Sequence, residues 1–242
     1  MTSALRYEWR RITSVPGTWI IGALVVLVAA GLQTLFVSIG DADPVPARNL
    51  AAGLVTPLSI GGFLFAAFGA QALGQEYRFG TIRSTLTLFP RRPTVFAAKL
   101  AVTALVTVAV LVLAAVVCVA VVGAAGWRLG FDGTGGGGVG GLAVRVVLVA
   151  LGWLAWGFGI AGISRNTALG IVLPLVVAFV VETPLTVVLG EKAPWLVDLF
   201  PFGNAGQALT MAGDAWGALG IFGLWSLVVA GLAYLSFTYR DA

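Results

Sequence analysis

The uncharged stretch LAVTALVTVAVLVLAAVVCVAVVGAAGW, residues 100–127, decides the fold class of this chain. An α-helix rises about 1.5 Å per residue, so about 20 apolar residues cross the roughly 30 Å hydrocarbon core of a bilayer. This stretch is longer than that, and its apolar residues are continuous and do not alternate with polar ones. It therefore predicts a transmembrane α-helix and disfavours a strand of a membrane β-barrel.

Composition extends this conclusion to the whole chain. Of the 242 residues, 59% are hydrophobic and 10% are charged, and the mean hydropathy is +1.01. Soluble domains contain about 25% charged residues. One soluble core of this size could not bury so much apolar surface. These values exclude a typical soluble domain, a disordered chain and a nucleic-acid-binding module, and they indicate an integral membrane protein.

Missing residue types narrow the chemistry. The chain contains no histidine, which excludes Ser-His-Asp and Cys-His catalysis and zinc sites that need imidazole. Neither of the two lysines, Lys99 and Lys192, follows a glycine, so the chain has no Walker A motif. The Gly-rich stretch 133–141 contains G-x-G-x-x-G, but no strand precedes it, and we expect a flexible linker. Cys118 lies in an apolar run and is expected to be a small hydrophobic residue.

Six apolar runs are long enough to cross a bilayer. The first is longer than the apolar core of a signal peptide, and Glu8 interrupts the basic region before it, so we expect an uncleaved anchor. The sequence thus predicts an all-α, polytopic membrane protein with six transmembrane helices and short amphipathic interfacial helices. The runs lie at residues 12–40, 49–75, 100–127, 146–164, 166–190 and 215–239, of which the fifth is interrupted only by Glu182.

We expect residues 1–242 to form a single transmembrane domain. Its expected segments are an interfacial N-terminal helix at 1–17, spans at 18–40 and 50–73, a cytoplasmic coupling segment at 74–99, a span at 100–123, a Gly-rich outside loop at 124–141, spans at 142–163 and 167–190, an outside and partly re-entrant segment at 191–214, and a last span at 215–237.

The basic residues predict the orientation. Ten of the 14 lie before the first span, in the second and fourth connections or after the last span. Short loops rich in lysine and arginine stay in the cytoplasm, so both termini are expected to be cytoplasmic. The other side collects six acidic residues and four basic ones, namely Asp41, Asp43, Asp132, Glu191, Asp198 and Asp214 with Arg48, Arg128, Arg145 and Lys192.

The segment GQEYRFGTIRSTLTLFPRRPTVFAAKL, residues 74–100, is the largest cytoplasmic connection. Apolar residues at helical spacing predict a short amphipathic helix on the membrane surface, which Pro90 ends. Two interpretations are open: a loop that only fixes the topology, or a docking helix for a cytoplasmic partner. The predicted apolar stripe is Phe79, Ile82, Leu86 and Phe89, and the predicted polar positions are Glu76, Arg83, Ser84 and Thr87.

A second interfacial helix is predicted at the N-terminus, over Ala4–Thr13. Leu5, Trp9 and Ile12 form its apolar side, opposite basic residues. An anchoring role and a docking role are equally compatible with this pattern.

Small residues at helical spacing are expected to permit close helix contact. We expect packing within the chain, with a subunit seam as the alternative. The positions are Gly62, Ala66, Ala70 and Gly74 in the second span and Gly157 and Ala161 in the fourth.

The pattern Glu76-x-x-x-Gly80-Thr81-Ile82-Arg83, followed by Pro90-Arg91-Arg92 and Lys99, resembles the cytoplasmic segment of ABC-2 type transporter permeases. The opening LRYEWRRITSVPGTW is similar to the amphipathic N-terminus of the same family, and six spans with both ends inside fit its architecture. The resemblance covers the whole chain in architecture, and its most specific part is residues 74–100.

The resemblance implies a permease subunit that has no ATPase site and binds no cofactor itself. Two permease subunits, identical or different, would pair among membrane lipids, and two copies of an ABC ATPase subunit, carrying ATP and Mg, would dock from the cytoplasm. It also implies a partly re-entrant segment before the last span, which Pro194–Pro201 would match. Matched to the family's coupling segment are Glu76, Tyr77, Gly80, Thr81, Arg83, Arg91 and Arg92.

One charge is expected inside the membrane. Glu182 lies about 12 Å inward from the outer end of the fifth span, and Arg145 lies about 5 Å inside the fourth. An isolated charge at that depth costs several kcal/mol, so it should be paired, neutral or facing water. We consider a structural Glu182–Arg145 pair or a protonated Glu182, and alternatively a Glu182 that lines the transport path. Pro174 and Pro184 should kink this span.

The expected function is that of a permease subunit of an ATP-driven exporter in a bacterial cytoplasmic membrane, with a hydrophobic or amphipathic substrate. The alternatives are a secondary transporter and a resistance or scaffold protein that does not use ATP. A secondary transporter would favour several intramembrane ionisable residues and inverted repeats.

Overall fold

A computed structural model describes residues 2–39, 45–126, 129–130, 138–210 and 213–239, with the backbone alone for 45–61, 129–130 and 138–139. The Gly-rich stretch 133–141 lies mostly outside these residues. The helices are α1 (Thr2–Ser14), α2 (Pro16–Ile39), α3 (Ala47–Arg78), α4 (Ile82–Leu88), α5 (Arg92–Ala124), α6 (Gly138–Ser164), α7 (Thr167–Leu175), α8 (Thr183–Leu189), α9 (Pro194–Val197), α10 (Pro201–Ala208) and α11 (Ala215–Tyr239).

The all-α class is confirmed. The described residues add only one pair of parallel two-residue strands, β1 (Val45–Pro46) and β2 (Leu129–Gly130). The predicted second span, 50–73, falls in α3, where residues 47–61 have no described side chains, so the count of six stays a prediction. Among the residues that the structure describes, five helical segments are long and apolar enough to cross a membrane, namely Pro16–Ile39, Arg92–Ala124, Gly140–Ser164, Thr167–Leu189 and Ala215–Tyr239.

Two helices are longer than a bilayer requires. α3 has 32 residues and α5 has 33, lengths of about 50 Å, whereas the hydrocarbon core is about 30 Å thick. The end of α3 and the start of α5 are joined by α4, so these two helix ends lie on the same side of the bundle. Polar groups there can be buried by protein outside the hydrocarbon core.

The centre of the bundle is the contact between α3 and α6. A Cβ atom at Gly157 would collide with the carbonyl of Ala66, and one at Gly69 would collide with the carbonyl of Leu154. The two backbones therefore touch, as small residues in membrane helices allow. A Cβ at Gly170 would lie 2.8 Å from the Cβ atoms of Ala70 and Ala161. The prediction that the small residues serve packing within the chain is confirmed.

The connection between α3 and α5 differs from the single amphipathic helix that was predicted. α3 continues to Arg78, and Gly80 follows with a φ of +68°. A glycine in this left-handed conformation ends a helix because other residues adopt it only with strain. α4 therefore starts anew at Ile82, and Phe79 leaves the predicted stripe: its side chain is 69% exposed, whereas Ile82 is 4% exposed.

The predicted fifth span changes its hydrogen-bond pattern between its two prolines. Residues Val176–Glu182 form a π-helical segment that joins α7, which contains Pro174, to α8, which has Pro184 in its first turn. Wide turns of this kind are frequent at functional sites. Glu182 is the last residue of the segment and faces the bundle, where it is 5% exposed.

We predict that Gly157→Ala will destabilise the protein by about 1–3 kcal/mol, because the added methyl group must push α6 away from the carbonyl of Ala66. The matched control is Gly31→Ala in α2, where a Cβ would meet no atom within 4 Å. Thermal unfolding of the purified protein in detergent measures the difference. Equal melting temperatures for the two variants would contradict the tight α3–α6 contact.

Candidate functional site

Four charged side chains meet where α1, α3 and α5 converge, and we call Glu8, Arg11, Glu76 and Lys99 the charge cluster. The Lys99 ammonium donates to Glu8 Oε1 at 2.6 Å and to Glu76 Oε1. Arg11 Nε donates to Glu8 Oε2 at 2.8 Å, and Arg11 Nη1 lies 3.2 Å from Glu76 Oε1. Each cation thus faces both carboxylates, and the four formal charges cancel.

Three of the four members of the charge cluster are closed to solvent, and the Arg11 side chain is 19% exposed. Lys99 is fully buried, and Glu8 and Glu76 are each 2% exposed. Buried ions lose hydration worth several kcal/mol each, which only close pairing and further hydrogen bonds offset. Arg11 Nη2 supplies such a bond by donating to the Ala72 carbonyl at 2.7 Å. The arrangement therefore fixes α1 and α5 against the end of α3.

Sequence reasoning did not place Glu8, Arg11 or Lys99 in a buried site. Glu8 was expected only to interrupt a basic region, and Lys99 was expected as a cytoplasmic basic residue within the pattern that resembles ABC-2 permeases. The spacing of Ala4, Glu8 and Ile12, the buried residues of α1, is a pattern that could have revealed Glu8. Of the predicted apolar stripe Leu5, Trp9 and Ile12, Ile12 is buried within the protein, whereas Trp9 is 46% exposed, so its lipid-facing position stays a prediction.

Glu76 was predicted to lie on a polar surface of the coupling segment. In the structure it belongs to α3, not to α4, and its side chain is buried in the charge cluster. The exposed polar position is wrong because α3 extends one turn further than predicted. Glu76 therefore faces α1 and α5, and a partner protein could not contact it directly.

The other residues matched to the coupling segment divide into an exposed set and an inward set. The inward ones are Tyr77, whose ring lies 5.4 Å from the guanidinium carbon of Arg165, and Arg92, whose Nη1 lies 3.4 Å from the carbonyls of Phe237 and Thr238. The exposed ones, which we call the α4 surface, are Gly80, Thr81, Arg83 and Arg91.

α1 supports α4 from the side. The rings of Tyr7 and Phe89 are 5.6 Å apart, and the Tyr7 hydroxyl lies 3.5 Å from Thr85 Oγ1. Ile82 and Thr85 are the buried residues of α4. α4 thus rests on α1 along one face, and the α4 surface consists of the exposed Arg83 on this helix together with exposed residues that flank it.

Glu182 does not contact Arg145. Its Oε2 atom accepts hydrogen bonds from the backbone N–H groups of Phe202 and Gly203, each at 2.9 Å. These groups lie in the first turn of α10, where helical N–H groups have no partner within the helix. A carboxylate at this end is also stabilised by the helix dipole.

Arg145 binds the opposite end of the same helix. Its Nη1 donates to the carbonyls of Ala208 at 3.0 Å and Thr210 at 2.8 Å, and its guanidinium carbon lies 5.9 Å from the centre of the Trp216 ring. The prediction of a direct Glu182–Arg145 ion pair is wrong, because α10 lies between the two groups. Each charge satisfies one end of that helix.

α10 is also anchored by aromatic packing. The Phe202 ring lies 4.5 Å from the ring of Trp153, 4.8 Å from Trp156 and 6.2 Å from Phe222. Phe202 is 7% exposed, whereas Trp195 in α9 is 64% exposed. Of the two short helices before the last span, α10 therefore inserts into the bundle.

We predict that Lys99→Met will destabilise the protein by about 3–5 kcal/mol, because it leaves two buried carboxylates with one cation. The control is Lys192→Met, which removes the other lysine of the chain from an exposed position. Adding Glu76→Gln to Lys99→Met restores neutrality and should recover part of the loss. Thermal unfolding measures all three, and a melting temperature that Lys99→Met leaves unchanged would disprove the structural role of the charge cluster.

Comparison with protein families identifies the chain. The sequence profile of a family described as ABC-2 family transporter protein matches residues 4–181, which is most of the chain and includes most of α1, all of α4 and the whole charge cluster. Comparison with individual curated proteins gives no match. The chain therefore belongs to the ABC-2 family, and it is an integral membrane protein that forms part of a transporter.

Proposed function

We propose that this member of the ABC-2 family is the membrane-spanning subunit of an ATP-driven transporter, and that a separate ABC ATPase subunit docks on the α4 surface. Membership of the family supports the association with an ATPase in general. The observation that carries the specific proposal is the position of α4 between the two long helices α3 and α5, with its polar side exposed and its other side resting on α1.

We propose a membrane topology of six spans with both termini in the cytoplasm of a bacterial cell. The contacts of Tyr7 with Phe89 and of Arg92 with the end of α11 support a common side for α1, α4 and the C-terminal end. The excess of basic residues there favours the cytoplasmic side by the positive-inside rule. α3 provides the sixth span, over the predicted residues 50–73.

The proposed coupling step begins with the ATPase subunits closing on ATP and moving α4. A shift in α4 reaches α3 and α5 through the chain, and it reaches α1 through the charge cluster. Since Lys99 and Arg11 each bind both carboxylates, α1, α3 and α5 move as one body and not separately. The transport cycle then requires that the ATPase bind two arrangements of this body with different affinities.

Two copies of the ATPase and a second permease subunit complete the proposed complex. ATP and Mg bind to the ATPase subunits, and this chain contributes no ATPase site. The proposed cargo is hydrophobic or amphipathic, because the spans offer aliphatic and aromatic walls, and the proposed direction is export.

The rival functions are a secondary transporter and a membrane scaffold that does not use ATP. Both would leave the α4 surface without a nucleotide-dependent partner. A secondary transporter would also need ionisable groups that face a path, whereas the Glu182 carboxylate and the Arg145 guanidinium bind the two ends of α10.

We predict that the double variant Arg83→Glu/Arg91→Glu will lower the capture of a co-expressed ABC ATPase about tenfold, because it reverses two exposed charges of the docking surface. Lys192→Glu, a charge reversal at another exposed position far along the chain, is the control. Affinity purification with quantified ATPase, together with stimulated ATP hydrolysis, measures the effect. Capture that stays the same for the double variant would reject docking at α4.

We also predict that Glu182→Gln will lower stability by about 1–3 kcal/mol, because the charge that holds the N-terminus of α10 is lost. Stimulated ATP hydrolysis per folded complex should stay unchanged. The control is Glu191→Gln at an exposed position. Unchanged thermal unfolding combined with lost hydrolysis would instead place Glu182 on the transport path.

A further inference from the structure

An open groove of about 520 Å³ lies between α1 and α5, on the side of α1 that faces away from the charge cluster. Its lining consists of Leu5, Arg6, Trp9, Arg10, Val102 and Leu105. We propose that this groove binds an anionic phospholipid from the leaflet next to α1. The chemistry of its lining supports this occupant: α1 contributes two arginines beside the apolar Leu5 and Trp9, and α5 contributes only apolar residues.

The basic residues of the groove are two exposed arginines of α1. Arg6 and Arg10 lie four residues apart, so they share one face of the helix, and both are exposed. In contrast to Arg11, neither forms an ion pair within the described ranges of the chain. Two guanidinium groups in this arrangement can both donate hydrogen bonds to the oxygens of one phosphate group.

The apolar side of the groove selects a lipid over a free anion. Val102 and Leu105 belong to α5, a candidate membrane span, and the Leu105 side chain is 59% exposed. Inorganic phosphate would leave this wall uncovered, whereas an acyl chain attached to the phosphate would lie along it. Trp9 is half-exposed at the rim, the position that an indole ring prefers at a membrane interface.

The charge balance indicates a lipid with a net negative charge. A zwitterionic headgroup brings its own cation next to the two arginines and gains little, whereas an anionic headgroup lowers their combined charge without adding a cation. The groove is also separate from the α4 surface, since none of its lining residues belongs to the helix α4 or to that surface. Lipid binding and ATPase docking can therefore be tested independently.

The test uses the quenching of Trp9 fluorescence by brominated lipids in nanodiscs of unbrominated phosphatidylcholine. The chain has eight tryptophans, so the Trp9 contribution is the difference between the wild type and Trp9→Phe. Brominated phosphatidylglycerol should quench this contribution at an about tenfold lower mole fraction than brominated phosphatidylcholine does. The full-length chain is used without an ATPase, so the result does not depend on the transport function.

Variants of the arginines make the test specific. Arg6→Gln/Arg10→Gln should abolish the preference for phosphatidylglycerol, and Arg6→Lys/Arg10→Lys should retain part of it because the charges remain. Arg83→Gln, which removes an exposed arginine of α4, should leave the preference unchanged. Thermal unfolding of each variant verifies that it is folded.

Three results would overturn the proposal. Equal quenching of Trp9 by the two brominated lipids would show ordinary bilayer contact. No quenching by either lipid would show that protein covers the groove, for example a second copy of the chain. Added inorganic phosphate that removes the preference would show an anion site in which the acyl chain has no part.

Discussion

The structure depends on the neutrality of the charge cluster. A lone buried charge at the junction of α1, α3 and α5 would be too costly, but two cations and two carboxylates within hydrogen-bonding distance offset each other. The pairing is reciprocal, because Lys99 and Arg11 each contact Glu8 and Glu76. Removing α3 or α5 would leave one charge of the cluster unpaired, whereas α1 carries one cation and one carboxylate and leaves Lys99 paired with Glu76. The short α4 connects α3 to α5, so the charge cluster that fixes these two helices also fixes the position of α4.

The middle of α3 is held by close packing of backbones and not by ion pairs. Around Gly157 and Gly69 the backbones of α3 and α6 touch, and this contact depends on the absence of side chains, not on charge. α3 is therefore held by ion pairs at one end and by close backbone packing along its middle. A displacement applied at α4 would reach α6 through a helix that has little freedom to bend. This is the mechanical property that the proposed coupling requires.

The sequence predicts those parts of the molecule that are encoded locally. Continuous hydropathy indicates the apolar helices, and the spacing of small residues such as Ala66 and Gly157 predicts a close helix contact. The end of α3 was missed although its signal is local, because the predicted amphipathic helix ran through Gly80, whose left-handed φ of +68° ends α3. The partners of the charges could not be predicted, because Lys99 meets Glu8 across 91 positions and Arg145 meets Ala208 across 63. No periodicity links positions that far apart, so only the fold decides which charges meet.

Glu182 and Arg145 show that two opposite charges in neighbouring membrane segments need not form an ion pair. Two opposite charges in neighbouring apolar segments suggest a pair, since pairing is the simplest way to neutralise both. A helix end is an equally good partner, because its free N–H or carbonyl groups carry partial charge and need hydrogen bonds themselves. Glu182 binds the N-terminal end of α10, and Arg145 binds its C-terminal end. These contacts stabilise both charges. They also give hydrogen-bond partners to the ends of a helix of 8 residues that lies inside the bundle. A buried charge near a short, partly inserted helix should therefore be compared with the helix ends before it is paired with another side chain.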